Sequence, residues 1–391
     1  MIVRGARSRS FAGMRGVQRS GRTSRCPSLE IRGGRDVAVI VNSPWPRDGR
    51  QRDRTIAARV ESSGRPDRPA RRRSGMQPRR TLWCVIPVVL VALSVAVVRA
   101  QSSCPPTIKA PTAAEMQDAF LNARDRGALW RFEKDGRPGY LYGTMHVGKF
   151  EWAMPGRLVS QALRDADTIA FEADLSDPAI LAGMRAPAKP EENPSLPVAL
   201  MDRLRAQAAR ACMPWERLAT LPPTMILATL VLQDARWQGL HAEYGSEIRL
   251  LMFAQAAGKH TASLESVATQ RSALSGGSAA EQIAWIDEGL TALEKGNLRD
   301  QLTATANSWF SGDLDALARF ISGRPAAERA ILDRAVTSRN PGMAARIEEL
   351  HKSGRRVFAA TGIMHMVGDT GLPKLLADRG FKIERVTFGA N

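Results

Sequence analysis

Two of the five histidines stand in the same short sequence context, a Gly-x-Met-His segment that follows an apolar stretch. His146 ends the segment LYGTMH, and His365 ends the segment AATGIMH. An apolar run of this length that ends at a Gly is typical of a buried strand and the loop after it. Ligands of open α/β sheets bind beyond the carboxyl ends of strands, and imidazole is a common metal ligand. We therefore predict that His146 and His365 bind one metal ion.

Two carboxylates follow other apolar stretches and would complete the ligand set. Glu172 comes directly after Phe171, and Glu265 comes directly after Leu264. Two imidazoles and one carboxylate hold a divalent ion with a coordination position left open, and the other carboxylate is then available as general base. Each residue also has an ordinary structural interpretation. A His at a strand end is often a hydrogen-bonded structural residue, and Glu172 would cap the next helix or pair with an Arg.

The elements that must bring these residues together alternate between strands and helices. Apolar stretches predict strands at Leu129–Glu133, Tyr140–Thr144, Thr168–Glu172, His260–Leu264, Val357–Thr361 and Lys382–Thr387. Helical spacing predicts helices at Arg157–Ala166, Pro223–Gln238, Ser246–Ala257, Ala280–Glu294, Leu298–Ser311, Leu314–Ile321, Ala326–Thr337, Pro341–Lys352 and Leu372–Arg379. The sequence therefore predicts an α/β fold, with a small mixed central sheet built from the two ends of the chain and a large helical insertion between them. No linker divides residues 101–391, which we expect to form one domain.

The charge of the chain is concentrated at its beginning. The whole chain has a net charge of +17. Residues 1–100 carry 22 Arg and six acidic residues, whereas the remainder carries 34 basic and 33 acidic residues and is almost neutral. Residues 101–391 therefore lack the basic surplus of a nucleic-acid-binding domain, and we expect no nucleic-acid partner. Residues 1–75 have little hydrophobic periodicity, so we expect them to be either untranslated, upstream of the true start at Met76, or a disordered Arg-rich arm.

Residues 76–100 have the three parts of an export signal. Arg79 and Arg80 precede the apolar run Leu82–Val98, which ends in Val-Arg-Ala at Ala100. This pattern predicts a signal peptide and a periplasmic or secreted protein that meets the membrane only through that segment before cleavage; the alternative is an uncleaved anchor. Cleavage after Ala100 leaves Cys104 and Cys212, which an exported chain can pair as one disulfide. The alternative is a small core residue and a free thiol.

Longer segments of the chain resemble the TraB/GumN family. These segments are GTMH, FEADLSDP, YGSEIRLLMFAQAAGKHTASLESVATQ and SRNPGMAARIEELHKSGRRVFAATGIMHMVGDTGLPKLLADRGFKIERV, in that order over residues 128–388. The family includes the Tiki metalloproteases, which carry two GxxH motifs and a glutamate, and its fold is related to that of ChaN and the erythromycin-esterase-like proteins. The resemblance implies His146, His365 and Glu172 as site residues, and adds Glu265, Gln270, Arg339 and Asn340.

The resemblance gives these residues roles. It implies that His146 and His365 bind a divalent metal, with Mn, Co or Zn all suitable, and that Glu172 is a third ligand or the general base. Arg339 and Asn340 would stabilise an oxyanion, although Asn340 before Pro341 is also typical of a helix N-cap. The chain departs from many relatives, which have Gly-x-Asp where it reads Tyr244-Gly245-Ser246-Glu247, and no acid of that segment enters the predicted site.

Two functions are compatible with such a site. The first is an exported metal-dependent hydrolase, a Tiki-like peptidase that acts on a peptide or protein substrate through a metal-activated water. The second is a non-catalytic periplasmic protein that binds a peptide or another ligand in the same pocket. Metal content and peptide cleavage distinguish them. No motif identifies the substrate or the oligomeric state.

Overall fold

The fold is a mixed sheet with helices around it, as the alternation of strands and helices predicts. The computed structural model describes residues 104–275 and 277–389, so the predictions for residues 1–75 and 76–100 lie outside the described residues. The described strands are β1 (Ala128–Lys134), β2 (Arg137–Thr144), β3 (Thr168–Phe171), β4 (His260–Ser263), β5 (Val357–Gly362) and β6 (Lys382–Val386). The predicted α/β class, with strands near both ends and helices between them, is confirmed.

The helices of the described residues are more numerous than the sequence pattern predicts. They are α1 (Ala113–Leu121), α2 (Arg157–Asp165), α3 (Pro178–Arg185), α4 (Val198–Arg210), α5 (Trp215–Leu218), α6 (Pro223–Asp234), α7 (Ser246–Ala256), α8 (Val267–Ser275), α9 (Ala279–Glu294), α10 (Asn297–Ser311), α11 (Leu314–Ser322), α12 (Ala326–Ala335), α13 (Asn340–Lys352) and α14 (Leu372–Asp378). The sequence prediction omits α1, α3, α4, α5 and α8. None of the described helices is both long enough and apolar enough to cross a membrane.

The sheet has the order β4-β3-β5-β2-β1-β6. The four strands from β4 to β2 pair in parallel, while β1 pairs antiparallel with β2 and with β6. A two-residue turn joins β1 to β2, and Asp135 and Gly136 both have positive φ, at 53° and 70°. This matches the Asp-Gly hairpin signal of the sequence. Because parallel strands end at the same edge, the segments after β2, β3, β4 and β5 meet there.

Two hydrophobic clusters stabilise the described residues. The larger one packs both faces of the sheet, with Phe132, Leu141, Ile169 and Phe358 fully buried. The second lies among α4, α6 and α9, where Leu204, Leu230 and Ile286 meet. The predicted disulfide is confirmed: Cys104 and Cys212 are bonded, across a sequence separation of 108. It ties the segment before α1 to the turn that follows α4.

Candidate functional site

The predicted site residues gather at the edge where the parallel strands end. His146 follows β2, Glu172 follows β3, Glu265 follows β4, and His365 lies in a single 3₁₀ turn, Ile363–Met366, directly after β5. The topology therefore brings the four strand-end residues to one edge of the sheet, as strand-end placement predicts. Arg339, at the start of α13, extends between the two carboxylates.

The loop of His146 is fixed by the first turn of α7. The His146 Nδ1 lies 2.9 Å from Oε1 of Glu247, and Thr144 Oγ1 donates to the same oxygen at 2.6 Å. Since a carboxylate only accepts, Nδ1 donates a proton to Glu247, and Nε2 is the nitrogen left to face the site. A Cβ on Gly245 would lie 2.6 Å from the carbonyl oxygen of His146, so only glycine allows this close packing. The Glu247 carboxylate raises the pKa of His146 to about 9, so the ring is charged at pH 7 and a bound metal ion would have to displace the proton on Nε2.

His365 is buried, and its orientation is set by Asn340. The imidazole Nδ1 lies 2.6 Å from Oδ1 of Asn340, whose Nδ2 donates to the carbonyl oxygen of Thr370 at 2.7 Å. An amide oxygen only accepts, so Nδ1 again carries the proton and Nε2 points toward Glu172, 3.4 Å from Oε1. Burial lowers the pKa of His365 to about 4. The ring is therefore neutral at pH 7, the state in which imidazole binds metal.

Both oxygens of Glu172 accept hydrogen bonds. Oε1 accepts the backbone N–H of Gly362 at 2.7 Å. Oε2 accepts from Arg339 at 2.6 Å and from Gln270 Nε2 at 3.3 Å. Burial alone would raise the pKa of Glu172, but the charges of His365 and Arg339 lower it to about 2. Glu172 is therefore ionised at neutral pH, which suits a metal ligand better than a general base.

Arg339 and Glu265 form a buried ion pair beside Glu172. The guanidinium Nε lies 3.0 and 3.1 Å from the two oxygens of Glu265, whose side chain is 3% exposed. Gln270 Nε2 donates to Glu265 at 2.7 Å, and the third nitrogen of Arg339 donates to the carbonyl oxygen of Ala335. The donors of Arg339 are thus bonded to protein oxygens. These contacts favour a role in holding Glu172 in place over the predicted contact with an oxyanion.

The alternative interpretation of Asn340 as a helix cap is wrong. Asn340 is the first residue of α13, Arg339 occupies the capping position, and neither side chain makes a capping hydrogen bond. The Asn340 side chain is fully buried and bonds His365 and Thr370 instead. The amide predicted either to stabilise an oxyanion or to cap a helix is thus bonded at both of its polar atoms and orients an imidazole.

The two imidazoles and Glu172 face a common space beside Gly362. A Cβ on Gly362 would lie 3.4 Å from Glu172 Oε1, 3.6 Å from His365 Cδ2 and 4.0 Å from His146 Nε2. The donor types suit a divalent ion, since two Nε2 atoms and one carboxylate oxygen converge and both Nδ1 protons are bonded outside the site. Among residues 104–275 and 277–389, however, no three His, Cys, Asp or Glu side chains are close enough to hold an ion as they stand. Binding would need these side chains to approach each other.

A groove of about 600 Å³ adjoins the buried ion pair. Leu264, Glu265 and Arg339 line it on the side of the sheet edge, and the opposite lining is polar, with hydroxyl groups from α8 and from the segment before α13. These hydroxyls belong to Ser266, Thr269, Ser272 and Ser338. The groove is large enough for a few residues of an extended peptide or for a small molecule of similar size.

Glu247 is the site residue that sequence reasoning missed. It bonds the imidazole of His146, and the signal that could have found it is the Gly-x-acid spacing of Gly245-Ser246-Glu247. The other three histidines lie outside the site. His241 forms an isolated bridge with Gly148. His260 is on the edge strand β4 and His351 is in α13.

Comparison with known proteins identifies the family that the motifs indicate. A model of the family described as TraB/PrgY/gumN matches residues 128–385, from the first residue of β1 into β6. The chain belongs to the TraB/PrgY/gumN family. The match includes the whole sheet edge with both Gly-x-Met-His segments. No curated protein and no solved structure matches the chain.

Proposed function

We propose that this member of the TraB/PrgY/gumN family is a metal-dependent hydrolase that acts on peptides or proteins. The observation that carries the proposal is the convergence of His146 Nε2, His365 and Glu172 Oε1 within 4.0 Å of one point beside Gly362. Each imidazole donates its other N–H to an oxygen, which is the arrangement that fixes metal-binding histidines. The motif resemblance to the Tiki metalloproteases supports the choice of peptide substrates.

In this proposal each polar residue of the edge has a defined task. His146 and His365 hold a divalent ion (Mn, Co or Zn) through Nε2, and Glu172 approaches as the third ligand. An ion held there would lower the pKa of a coordinated water to about 7 and so supply a nucleophile at neutral pH. Arg339 keeps Glu172 ionised and in position, and Glu265 with Gln270 keeps Arg339 in position. The polar groove beside Glu265 would hold the substrate.

A non-catalytic binding protein is the second candidate function. It is favoured by the engagement of Glu172 and Glu265 with one guanidinium and by the absence, among the described residues, of a ready-made group of three metal-binding side chains. Such a protein would use the same groove to hold a peptide without cleaving it. Peptide binding and peptide cleavage must therefore be measured separately.

The test is peptide cleavage by the purified protein, stripped with a chelator and reloaded with Mn²⁺, Co²⁺ or Zn²⁺. A mixed peptide library analysed by mass spectrometry gives new termini only with metal if the proposal is right. His365→Ala abolishes this cleavage, whereas His260→Ala, on the exposed first residue of the edge strand, leaves it unchanged. Peptides that bind but stay intact with every metal would support the binding protein.

We also propose that the protein is exported. The Cys104–Cys212 disulfide supports this, because such bonds persist in oxidising compartments. The segment 76–100 supports it through its basic start, apolar run and small residues at the expected cleavage point. Expression from Met76 in a Gram-negative host and N-terminal sequencing of the periplasmic product test the proposal. A product that begins near Gln101 is expected, and a protein found only in the cytoplasm would contradict export.

A further inference from the structure

Arg126, two residues before β1, is a buried arginine without a carboxylate partner. The residue is 8% exposed, and its Nε is buried without a hydrogen-bond partner. One terminal nitrogen donates to the carbonyl oxygen of Arg124 at 3.2 Å, and the guanidinium lies 5.2 Å from the centre of the Phe310 ring. Neither contact supplies the negative charge that a buried cation ordinarily requires.

A second arginine, in the first turn of α7, is in the same condition. The Nε of Arg249 is also buried without a partner. One of its terminal nitrogens lies 3.9 Å from the sulfur of Met252. Its guanidinium carbon lies over the ring of Tyr244, 5.4 Å from the ring centre. Neither Arg126 nor Arg249 forms an ion pair with any described residue, unlike Arg339 with its two carboxylates. Burial lowers the pKa of both guanidinium groups.

Both arginines line one small pocket. Its wall is formed by the aromatic side chains of Tyr142, Trp152 and Trp309 and by Ser246, the first residue of α7. The pocket has a volume of about 20 Å³, enough for one particle slightly larger than a water molecule. Two cations that line a single small space, with aromatic side chains around it, provide the charge and the donors that one small anion requires.

Two carboxylates, Asp125 and Glu151, interact electrostatically with Arg126, but neither forms an ion pair with it or lines the pocket. The two oxygens of Asp125 accept the backbone N–H groups of Leu158 and Val159, at 3.0 and 2.9 Å, and so cap the start of α2. Glu151 is exposed to solvent. Arg124, which also lines the pocket, adds positive charge. The balance of charge around the space is therefore positive.

We infer that the pocket between Arg126 and Arg249 binds a small monovalent anion, either a halide or a carboxylate group. The two buried Nε–H groups donate to it, and its charge offsets the cost of burying two cations. Because Ser246 lines the pocket and the next residue, Glu247, bonds His146, the bound anion also stabilises the turn that holds the His146 loop. The inference is independent of whether the protein is a hydrolase.

The test measures thermal unfolding of the purified protein at constant ionic strength while gluconate, which is too large for the pocket, is replaced by chloride or by formate. An anion that binds the folded state raises the midpoint temperature Tm in a saturable way. Bromide provides a second readout, since it quenches tryptophan on contact and Trp152 and Trp309 line the pocket. Formate and chloride together show whether a carboxylate or only a halide is accepted.

The variants locate the site. Arg249→Gln removes one cation and is expected to weaken chloride binding at least about tenfold, the effect of losing one charge-assisted hydrogen bond. The matched control is Arg299→Gln, because Arg299 is partly buried but paired with Asp234. It should keep the wild-type chloride dependence. If Arg249→Gln does not fold, Arg249→Lys keeps the charge without Nε and should also bind more weakly.

Two results would overturn the inference. In the first, the Tm of the wild type does not change, or changes without saturation, when chloride or formate replaces gluconate. In the same case the quenching of tryptophan fluorescence rises linearly with bromide concentration, without saturation. The other is a saturable rise in Tm that is equally strong in the wild type, in Arg249→Gln and in Arg126→Gln. The second result would place the binding anion elsewhere.

Discussion

The Arg339 side chain is expected to be the most sensitive position in the site for stability. It lies between Glu172 and Glu265, and its side chain is 9% exposed, with 16% and 3% for the two carboxylates. Substitution Arg339→Met keeps a long apolar side chain but removes the charge. Two carboxylates then remain close together in a region of low polarity without their common cation.

The loss of unfolding free energy follows from this geometry. Removal of one partner of a buried ion pair costs about 3–5 kcal/mol, since the other charge stays buried and unpaired. Glu172 retains the N–H of Gly362, and both carboxylates retain Gln270. We therefore expect a loss near the lower end of that range, roughly 3 kcal/mol. Glu265→Gln added to Arg339→Met removes one of the uncompensated charges and should restore a substantial part.

The assay is urea unfolding followed by circular dichroism, in which a change of midpoint at constant m-value reports stability. The control is Arg356→Met, because Arg356 pairs with Asp167 at 3.5 Å while the two side chains are 54% and 35% exposed. Such an exposed pair contributes less than about 1 kcal/mol. If Arg339→Met and Arg356→Met lose the same small amount, the Arg339 cluster does not stabilise the site and our reasoning is wrong.

Three further predictions concern the disulfide, the support of one imidazole and pH. Replacing Cys104 and Cys212 with Ser frees a loop of about a hundred residues and should lower the unfolding free energy by about 3–5 kcal/mol, measured by urea unfolding; a smaller change than about 1 kcal/mol would contradict it. Asn340→Leu removes the acceptor of the His365 N–H and should weaken metal binding about 10- to 100-fold, measured by titration calorimetry, whereas Asn340→Asp should retain most of it. In metal-free protein, the lowered pKa of His365 means that the unfolded state binds the proton first, so stability falls as pH drops from about 6.5 to 4. The raised pKa of His146 means that stability is lost as pH rises through that pKa. The measurement is the urea midpoint of unfolding as a function of pH. His365→Gln should flatten only the acid side of that curve, and His146→Gln only the alkaline side.

The central strands β3 and β5 were predictable because burial on both faces leaves a continuous apolar run in the sequence. Each of the six observed strands overlaps its predicted range, and Asp135-Gly136 identifies the hairpin. The site edge follows from the same argument, since parallel strands must end together. This is why His146, Glu172, Glu265 and His365 could be grouped without knowledge of the sheet order.

The omitted helices were harder to predict, for different reasons. In α4, buried Leu200, Leu204 and Ala208 do have helical spacing, but Asp, Arg and Gln occupy four of the six positions between them. In α1 the apolar face is weak, and the Thr112–Glu115 capping box is the stronger signal. In α8 the buried residues include the polar Gln270. Its burial is stabilised by hydrogen bonds to Glu172 and Glu265, which both lie outside the helix.

The support of the site could not be predicted from local patterns. Asn340 reaches His365 from another helix, and Glu247 reaches His146 from the start of α7. Such contacts depend on how helices dock on the sheet, which a single sequence does not encode in its spacing. The same is true of Arg126 and Arg249, whose common pocket is lined both by the segment before β1 and by the start of α7.

The most direct test of the metal site is the metal content of the purified protein. Wild-type protein is loaded with Mn²⁺, Co²⁺ or Zn²⁺, dialysed and analysed by atomic emission, beside His146→Ala/His365→Ala and the control His260→Ala. We predict one divalent ion per chain in the wild type and in His260→Ala, and none in the double variant, with unchanged circular dichroism in all three. A wild type that retains no ion, or a double variant that retains the same amount as the wild type, would contradict the central claim that the two Gly-x-Met-His histidines share a metal.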